Sequence, residues 1–220
     1  MKNGILILDK PSGVTSHDVV SFIRKKFDMQ RVGHAGTLDP LATGILIVLL
    51  GPATKLFDKF SSFDKAYEAT VKLGMVTDTA DIQGNVLKTF SCEQISRESI
   101  EDALQKFRGE IEQKPPMFSA VRFEGKRLYE IARRGITVEV KPRKINISTL
   151  QLLDFSFSEV KLYMECSKGT YVRKIAEDLG EFLGCGGCIS QIRRTRVGPF
   201  RIEDAVRLEE INESYIRSQI

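Results

Sequence analysis

Six apolar residues in a row, "ILIVLL" at positions 45–50, follow directly on a run of small and turn-forming residues, "RVGHAGTLDPLATG" at positions 31–44. So short and so apolar a run reads as a strand enclosed by the rest of the fold, far below the length needed to cross a membrane. A second run, "GILIL" at 4–8, has the same character. "YEATVKL" at 67–73 alternates instead, with Tyr67, Ala69, Val71 and Leu73 on one face and Glu68, Thr70 and Lys72 on the other, which reads as a half-buried strand. The loop before the enclosed strand holds one of the chain's two histidines, His34, and an aspartate, Asp39, wedged between Leu38 and Pro40.

Helical spacing recurs between these strands. After the turn in "DKPSGVTSHD", Thr15 or Ser16 can cap a helix that carries Val19, Val20, Phe22, Ile23 and Phe27 on its apolar side. Ser96 opens another, with Ile100, Ala103, Leu104 and Phe107 inward and Gly109 as its stop. "QKPPMFSAVRFEGKRLYEIARRG" predicts a proline-marked loop, a short strand and a basic helix ending at Gly135. Strands are predicted over 144–152, 159–166 and 189–197, with a helix in "GTYVRKIAEDLGEFLG" that turns Val172, Ile175, Ala176 and Leu179 inward. Strands and helices mix without a regular strand–helix–strand beat, so the expected class is α+β with a largely antiparallel sheet. At 220 residues one domain is expected over 1–220.

The net charge of +4 permits a polyanion partner without requiring one. Its distribution says more. Positions 122–144 hold eight Lys/Arg against three Glu, and positions 190–201 hold four Arg and no acid. Two basic segments suggest a polyanion track, although solvated helix faces would look the same. The four cysteines include one isolated C-x-x-C, Cys185 and Cys188, with no second pair or nearby histidine to complete a zinc site. Small-residue packing at a helix end is favoured over redox chemistry as the reading of that pair. With no disulfide framework and too short an apolar run at the start for a signal peptide, a reducing compartment and cytoplasmic residence are expected.

Asp39 is the residue with a chemical question attached. Asp-Pro is a common turn starter, yet Gly33, Gly36 and Gly44 would also let backbone approach a ligand closely, and Leu38 and Pro40 would strip water from the carboxylate. A desolvated carboxylate beside a cation can act as a nucleophile or a base. The sequence has no phosphate-binding glycine loop of either common type, no carboxylate- or histidine-rich ligand set and no nucleophile elbow. Chemistry carried by one carboxylate without metal or cofactor is the enzymatic option that remains.

Taken together, the blocks resemble a known family. "GHAGTLDPLATG" is similar to the signature loop of the bacterial TruB pseudouridine synthases, which modify uridine 55 in the T-arm of tRNA. "LDKPSGVTS" resembles that family's lysine–proline motif, "YEATVKLGMVTDTADIQG" its tyrosine strand, and "KPPMFSAVRFEGKRLYEIARRG" its proline–methionine–serine–alanine block. "CSKGTYVRKIAEDLG" resembles its arginine helix and "RRTRVGPF" its final strand, so six ordered motifs cover nearly the whole chain. The resemblance implies a pseudouridine synthase fold, a mostly antiparallel mixed sheet flanked by helices and loops. It implies Asp39 as the catalytic aspartate, Tyr67 packed against the target base, Arg173 paired with the catalytic carboxylate and His34 at the RNA beside the flipped nucleotide. Tyr171 and Ile192 match pocket positions; the family more often has leucine where Ile192 stands, a swap that keeps apolar volume.

The implied chemistry moves the uracil from an N1–C1′ to a C5–C1′ bond, so no atoms enter or leave and no cofactor or metal is expected. The base must leave its stack first. Whether Asp39 attacks the sugar, attacks the ring or assists a glycal route, and whether Tyr67, Asp39 or water takes the C5 proton, stays open at this stage. Lys10, Arg122, Lys126, Arg127, Arg133 and Arg134 are candidates for RNA backbone contact, although Lys10 can instead order its own turn beside Pro11. The partner implied is the T-arm stem-loop of tRNA, met by a monomer without a membrane or an obligate protein partner. Many relatives carry a further RNA-binding lobe, the PUA domain; the resemblance implies a short form in which 205–220 is an acidic tail or helix. A non-catalytic RNA-binding module on the same scaffold, a phosphate hydrolase with an aspartyl nucleophile, and a guide-RNA-dependent synthase are the alternatives.

Overall fold

In a computed structural model that describes residues 2–218, the elements run β1 (Gly4–Lys10), α1 (Ser16–Phe27), β2 (Val32–Ala35), β3 (Thr43–Leu50), α2 (Phe57–Ser61), β4 (Lys65–Leu73), β5 (Met75–Thr77), β6 (Val86–Thr89), α3 (Arg97–Gln105), β7 (Gly109–Gln113), β8 (Arg122–Phe123), β9 (Lys126–Arg127), α4 (Leu128–Ala132), β10 (Arg143–Ser156), β11 (Glu159–Cys166), α5 (Val172–Phe182), β12 (Gly187–Val197), β13 (Phe200–Arg201) and β14 (Val206–Arg207). The chain divides into two compact units, Met1–Glu68 with Gln191–Ile220, and Ala69–Ser190. The chain is α+β, with mixed strand pairing.

The first unit is built on β3, whose residues 44–50 are all buried. One edge of β3 pairs antiparallel with β1 along its whole length, from Gly4 opposite Leu50 to Lys10 opposite Gly44. The other edge is shared: β12 pairs parallel with its start, Arg193 opposite Thr43 and Arg194 opposite Gly44, and β2 pairs antiparallel with its end, Val32 opposite Leu50. Sharing is possible because position 44 is glycine. Gly44 sits at a φ of +98°, and a Cβ there would run into the backbone of Arg194. Ile5, Ile7, Ile45, Ile47, Leu49, Phe60 and Val197 form the core cluster of this unit.

Helix α1 shows how locally the sequence decides. Thr15, not Ser16, is the N-cap: its hydroxyl accepts from the Asp18 N–H at 3.0 Å, and the Asp18 carboxylate accepts from the Thr15 N–H at 2.8 Å. Val19, Val20, Ile23 and Phe27 face inward as expected, but Phe22 is 40% exposed. The Lys26 ammonium lies over its ring, 5.7 Å from the centroid, so Phe22 belongs to the solvent face of the helix.

The expected acidic tail or helix over 205–220 does not form an α-helix within the described residues, and positions 219 and 220 lie outside them. Val206 and Ile211 are buried, and β14 pairs parallel with β1, Leu8 opposite Val206. Further on, Arg217 exchanges backbone hydrogen bonds with Ile5 at 3.0 and 2.9 Å. Burying two side chains five residues apart while following a strand edge suits extended backbone and single 3-10 turns better than a helix.

In the second unit β11 pairs antiparallel with β10, and β10 with β7, Arg143 opposite Gln113. Strand β10 runs to Ser156, four residues past the predicted end, and absorbs that length with irregularities at 147–149 and 152–154. Its core includes Val71, Leu104, Ile147, Leu162, Met164, Ile175 and Leu179, from strands and from helices α3 and α5. Cys185 and Cys188 are free, fully buried thiols just past α5. Burial raises both, Cys188 to about 11, so neither is a ready nucleophile.

Candidate active site

Asp39 is half-buried on the loop between β2 and β3, and the backbone on both sides of it is held from beneath. Ser16, freed from capping by Thr15, reaches that loop. Its hydroxyl accepts from the Leu38 N–H at 2.9 Å and donates to the Leu38 carbonyl at 3.1 Å, so one side chain grips both polar groups of the residue before Asp39. Gly13 donates its N–H to the Pro40 carbonyl at 2.9 Å, and Ser12 its hydroxyl to the Leu41 carbonyl at 3.2 Å. The Ala42 N–H closes the turn on the Asp39 carbonyl at 3.1 Å. Thus "KPSGVTS" and "GTLDPLATG", 22 residues apart at Ser16 and Leu38, form one knit of backbone around Asp39.

Two buried cations complete the grip. Arg194, 1% exposed on β12, donates from Nε to the Ile45 carbonyl at 2.7 Å and from Nη2 to the Gly36 carbonyl at 2.9 Å. Lys10, also 1% exposed, donates from Nζ to the carbonyls of Pro11 at 2.7 Å, Val14 at 2.8 Å and Pro40 at 3.4 Å. Of the two roles the sequence leaves open for Lys10, the structure shows it ordering its own turn beside Pro11. Its ammonium donates to three carbonyls inside the protein. Burial pushes that ammonium down to about 8; the Asp39 carboxylate pulls it back up, the Arg194 guanidinium pushes it further down, and Asp18 draws it up slightly.

The other expected residues of this unit take distinct places. His34 is half-buried on β2, opposite Val48 of β3. Tyr67 is buried on β4 and Ile192 on β12, whose backbone carbonyl accepts from the Thr43 hydroxyl at 3.4 Å. Next to Ile192, Arg193 makes a forked pair with Asp9, 2.7 and 3.1 Å.

In the second unit, Tyr171 is the N-cap residue of α5 and Arg173 lies in its first turn. Arg173 is 6% exposed, and its guanidinium donates to the carbonyls of Thr79 and Phe118, each at 2.8 Å. A side chain that long, fixed at two corners, presents a permanent charge in one orientation. Arg122, Lys126, Arg127, Arg133 and Arg134 are all exposed. They sit on a two-residue hairpin, β8 with β9, and around the five-residue helix α4, so Arg133 and Arg134 fall just beyond a helix shorter than the sequence suggests.

Sequence reasoning missed Ser16 and Arg194 as parts of this arrangement. The signal for Ser16 was present: Thr15 and Asp18 already make a complete capping box, which leaves the second hydroxyl over. Nothing comparable marks Arg194, because an arginine that feeds carbonyls looks in sequence like one that faces solvent. Among the described residues no group of three or more His, Cys, Asp or Glu is placed to hold a metal ion, and no helix is long and apolar enough to cross a membrane.

Comparison with known proteins adds an independent line. Residues 24–172 match the model of the TruB family pseudouridylate synthase N-terminal domain, and residues 173–219 that of the tRNA pseudouridylate synthase B C-terminal domain. A tRNA pseudouridine synthase B of Endomicrobium trichonymphae is 46% identical over 212 residues, 96% of this chain and 92% of the relative. One from Francisella tularensis subsp. tularensis (strain WY96-3418) is 42% identical over 219 residues, 99% of this chain and 72% of the relative. Among solved structures, a chain of a Cbf5-Nop10-Gar1 complex superposes with a TM-score of 0.74 at 30% identity, covering 95% of this chain and 53% of that one. A chain of an archaeal box H/ACA sRNP Nop10-Cbf5 complex gives 0.70 at 26% identity, covering 97% and 54%. The chain thus spans about half the length of these two solved chains.

Proposed function

The chain belongs to the TruB family of pseudouridylate synthases and has their α+β fold, and from that premise we propose that it isomerises uridine 55 in the T-arm of tRNA to pseudouridine. The observation that carries this reading is the grip on the Asp39 loop. Ser16, Lys10 and Arg194 fix the backbone around one half-buried carboxylate. Preorganisation of that kind suits a group that must meet charge at one atom of a large, flexible substrate.

The reaction needs little else. The target nucleotide leaves its stack, and His34 fills the space beside it while the Tyr67 ring faces the uracil. Asp39 meets C1′ as the N1–C1′ bond breaks, the uracil turns, C5 bonds to C1′, the C5 proton leaves to a base, and N1 takes up a proton in its place. Atoms balance without a cofactor. The resemblance gives Arg173 the part of charge partner to the catalytic carboxylate, and its hold on two carbonyls gives a guanidinium already oriented. Tyr171 and Ile192 line the pocket in this reading. The exposed arginines and lysine of 122–134 take the RNA backbone. The protein works in the cytoplasm, as a monomer, on free tRNA.

Modification mapping of tRNA incubated with the purified chain in EDTA tests the proposal directly. Pseudouridine at position 55 is expected; unchanged uridine there, or conversion that requires added Mg²⁺, would refute it.

A further inference from the structure

Gln113 ends β7 and is 3% exposed, a buried carboxamide just before the loop "KPPMF". A group of that kind is costly to bury unless both of its ends are satisfied. Both are, and by the same residue. The Tyr171 N–H donates to Gln113 Oε1 at 2.8 Å, and Gln113 Nε2 donates to the Tyr171 carbonyl at 3.1 Å. Side chain and peptide are joined as two strands would be, over a sequence separation of 58 residues.

The residue gripped in this way decides where α5 begins. Tyr171 is its N-cap, with an extended backbone of φ −103° and ψ 107°, and no side chain caps the helix. Its carbonyl also accepts from the N–H groups of Lys174 at 3.1 Å and Ile175 at 3.2 Å, so one oxygen closes the first turn and holds Gln113. The Tyr171 N–H is one that a helix cannot satisfy itself. If α5 slipped along its axis so that a neighbouring residue took the place of Tyr171 in this clamp, every side chain on it would turn by about 100° relative to its surroundings. Arg173, two positions on, would lose its bonds to Thr79 and Phe118. Phe118 itself lies five residues beyond Gln113 on the loop that Gln113 anchors, so one carboxamide fixes both the helix start and the root of the segment that receives the guanidinium.

We infer that Gln113 is a positioning residue for pseudouridine formation: its carboxamide, paired face to face with the peptide of Tyr171, sets the phase of α5 and so the orientation of Tyr171 and Arg173. This rests on the reading that Tyr171 and Arg173 serve the reaction. A side chain that only filled the core would be replaced by methionine, which has similar length and no donor, with loss of stability alone. A positioning residue makes a different prediction. In Gln113→Met the single-turnover rate falls by about tenfold to a hundredfold, while affinity for a T-arm stem-loop stays within about twofold. In the parent, the Tyr171 amide exchanges with solvent as slowly as the amides inside α5; in Gln113→Met it exchanges freely.

A parent-like rate in Gln113→Met, or a loss confined to RNA affinity, overturns the inference. So does rapid exchange at the Tyr171 amide of the parent, a measurement that stands even if Gln113→Met fails to fold. Arg173→Lys separates this inference from the reading beneath it. If Arg173→Lys reacts at the parent rate while the Tyr171 amide stays protected, the clamp is real but the site has been misassigned.

Discussion

The loop around Asp39 and the basic stretch 122–134 are both short, both polar and both rich in residues that a substrate could touch, yet they are built in opposite ways. Around Asp39 the backbone is held by side chains from elsewhere as well as by its own turn: Ser16 on Leu38, Lys10 on Pro40, Arg194 on Gly36. In 122–134 the charged side chains stand in water on a two-residue hairpin and a single short helix, and only Leu128 and Ile131 are buried beneath them. The contrast follows from what each region is asked to do in the proposed reaction. A carboxylate that meets one carbon must not wander, whereas a phosphate backbone is met by long cations whose attraction tolerates displacement of an ångström or two.

Changes in the two regions should therefore separate rate from affinity. Asp39→Asn is expected to lower single-turnover conversion by at least about 10⁴-fold with stem-loop affinity kept within a fewfold, since it removes the charge and keeps the shape. Comparable losses in both quantities would mean that the loop binds rather than reacts.

Lys10 supplies the next largest effect, and it is one of stability. Its pKa lies near 8 in the folded protein against 10.5 for an ordinary lysine, so between those values the unfolded chain binds more protons. Stability gained from deprotonation is absent below pH 8 and grows as pH rises towards 10.5, by up to about 3 kcal/mol. Denaturant unfolding of the parent and of Lys10→Met, compared at pH 7 and pH 10, should show the parent gaining on the variant. A constant difference would mean that the three carbonyl acceptors hold the charged form firmly enough to offset its burial.

Ser16→Ala leaves the buried Leu38 N–H without its acceptor and should cost about 1–3 kcal/mol, with a slower single turnover and unchanged affinity. Arg133→Glu combined with Arg134→Glu should do the reverse. Affinity for the stem-loop falls by about tenfold and the slope of log affinity against log salt becomes shallower by about one to two, while the rate at saturating RNA and the thermal midpoint hold. An unchanged slope removes 133–134 from the footprint and weakens the comparison itself.

What could be read in advance follows the same division. Strands enclosed on both faces announce themselves through unbroken apolar runs, and β1 and β3 lie where those runs predict. Capped helices do likewise, as Ser96 shows by starting α3 through its paired bonds with Ser99. Family motifs pointed to Asp39 and Arg173, but not to what holds them. Lys10 was open to two readings because a lysine next to proline is equally good at binding phosphate and at tying a turn; only its burial decides. Phe22 fits the helical period of its neighbours, and what places it in solvent is the angular width of the face that α1 presents, which depends on the elements packed against it. Gln113 had no local signature at all, since its partner is a backbone group 58 residues away.

Gly44 carries a consequence for inheritance. Every amino acid reachable from a glycine codon by one nucleotide change has a Cβ, and at this position a Cβ meets the Arg194 backbone in a conformation that other residues adopt with strain. No missense step from that codon is structurally neutral. A gene encoding this chain can drift at Arg133 or Arg134 one base at a time, but at codon 44 the only tolerated changes are the synonymous ones.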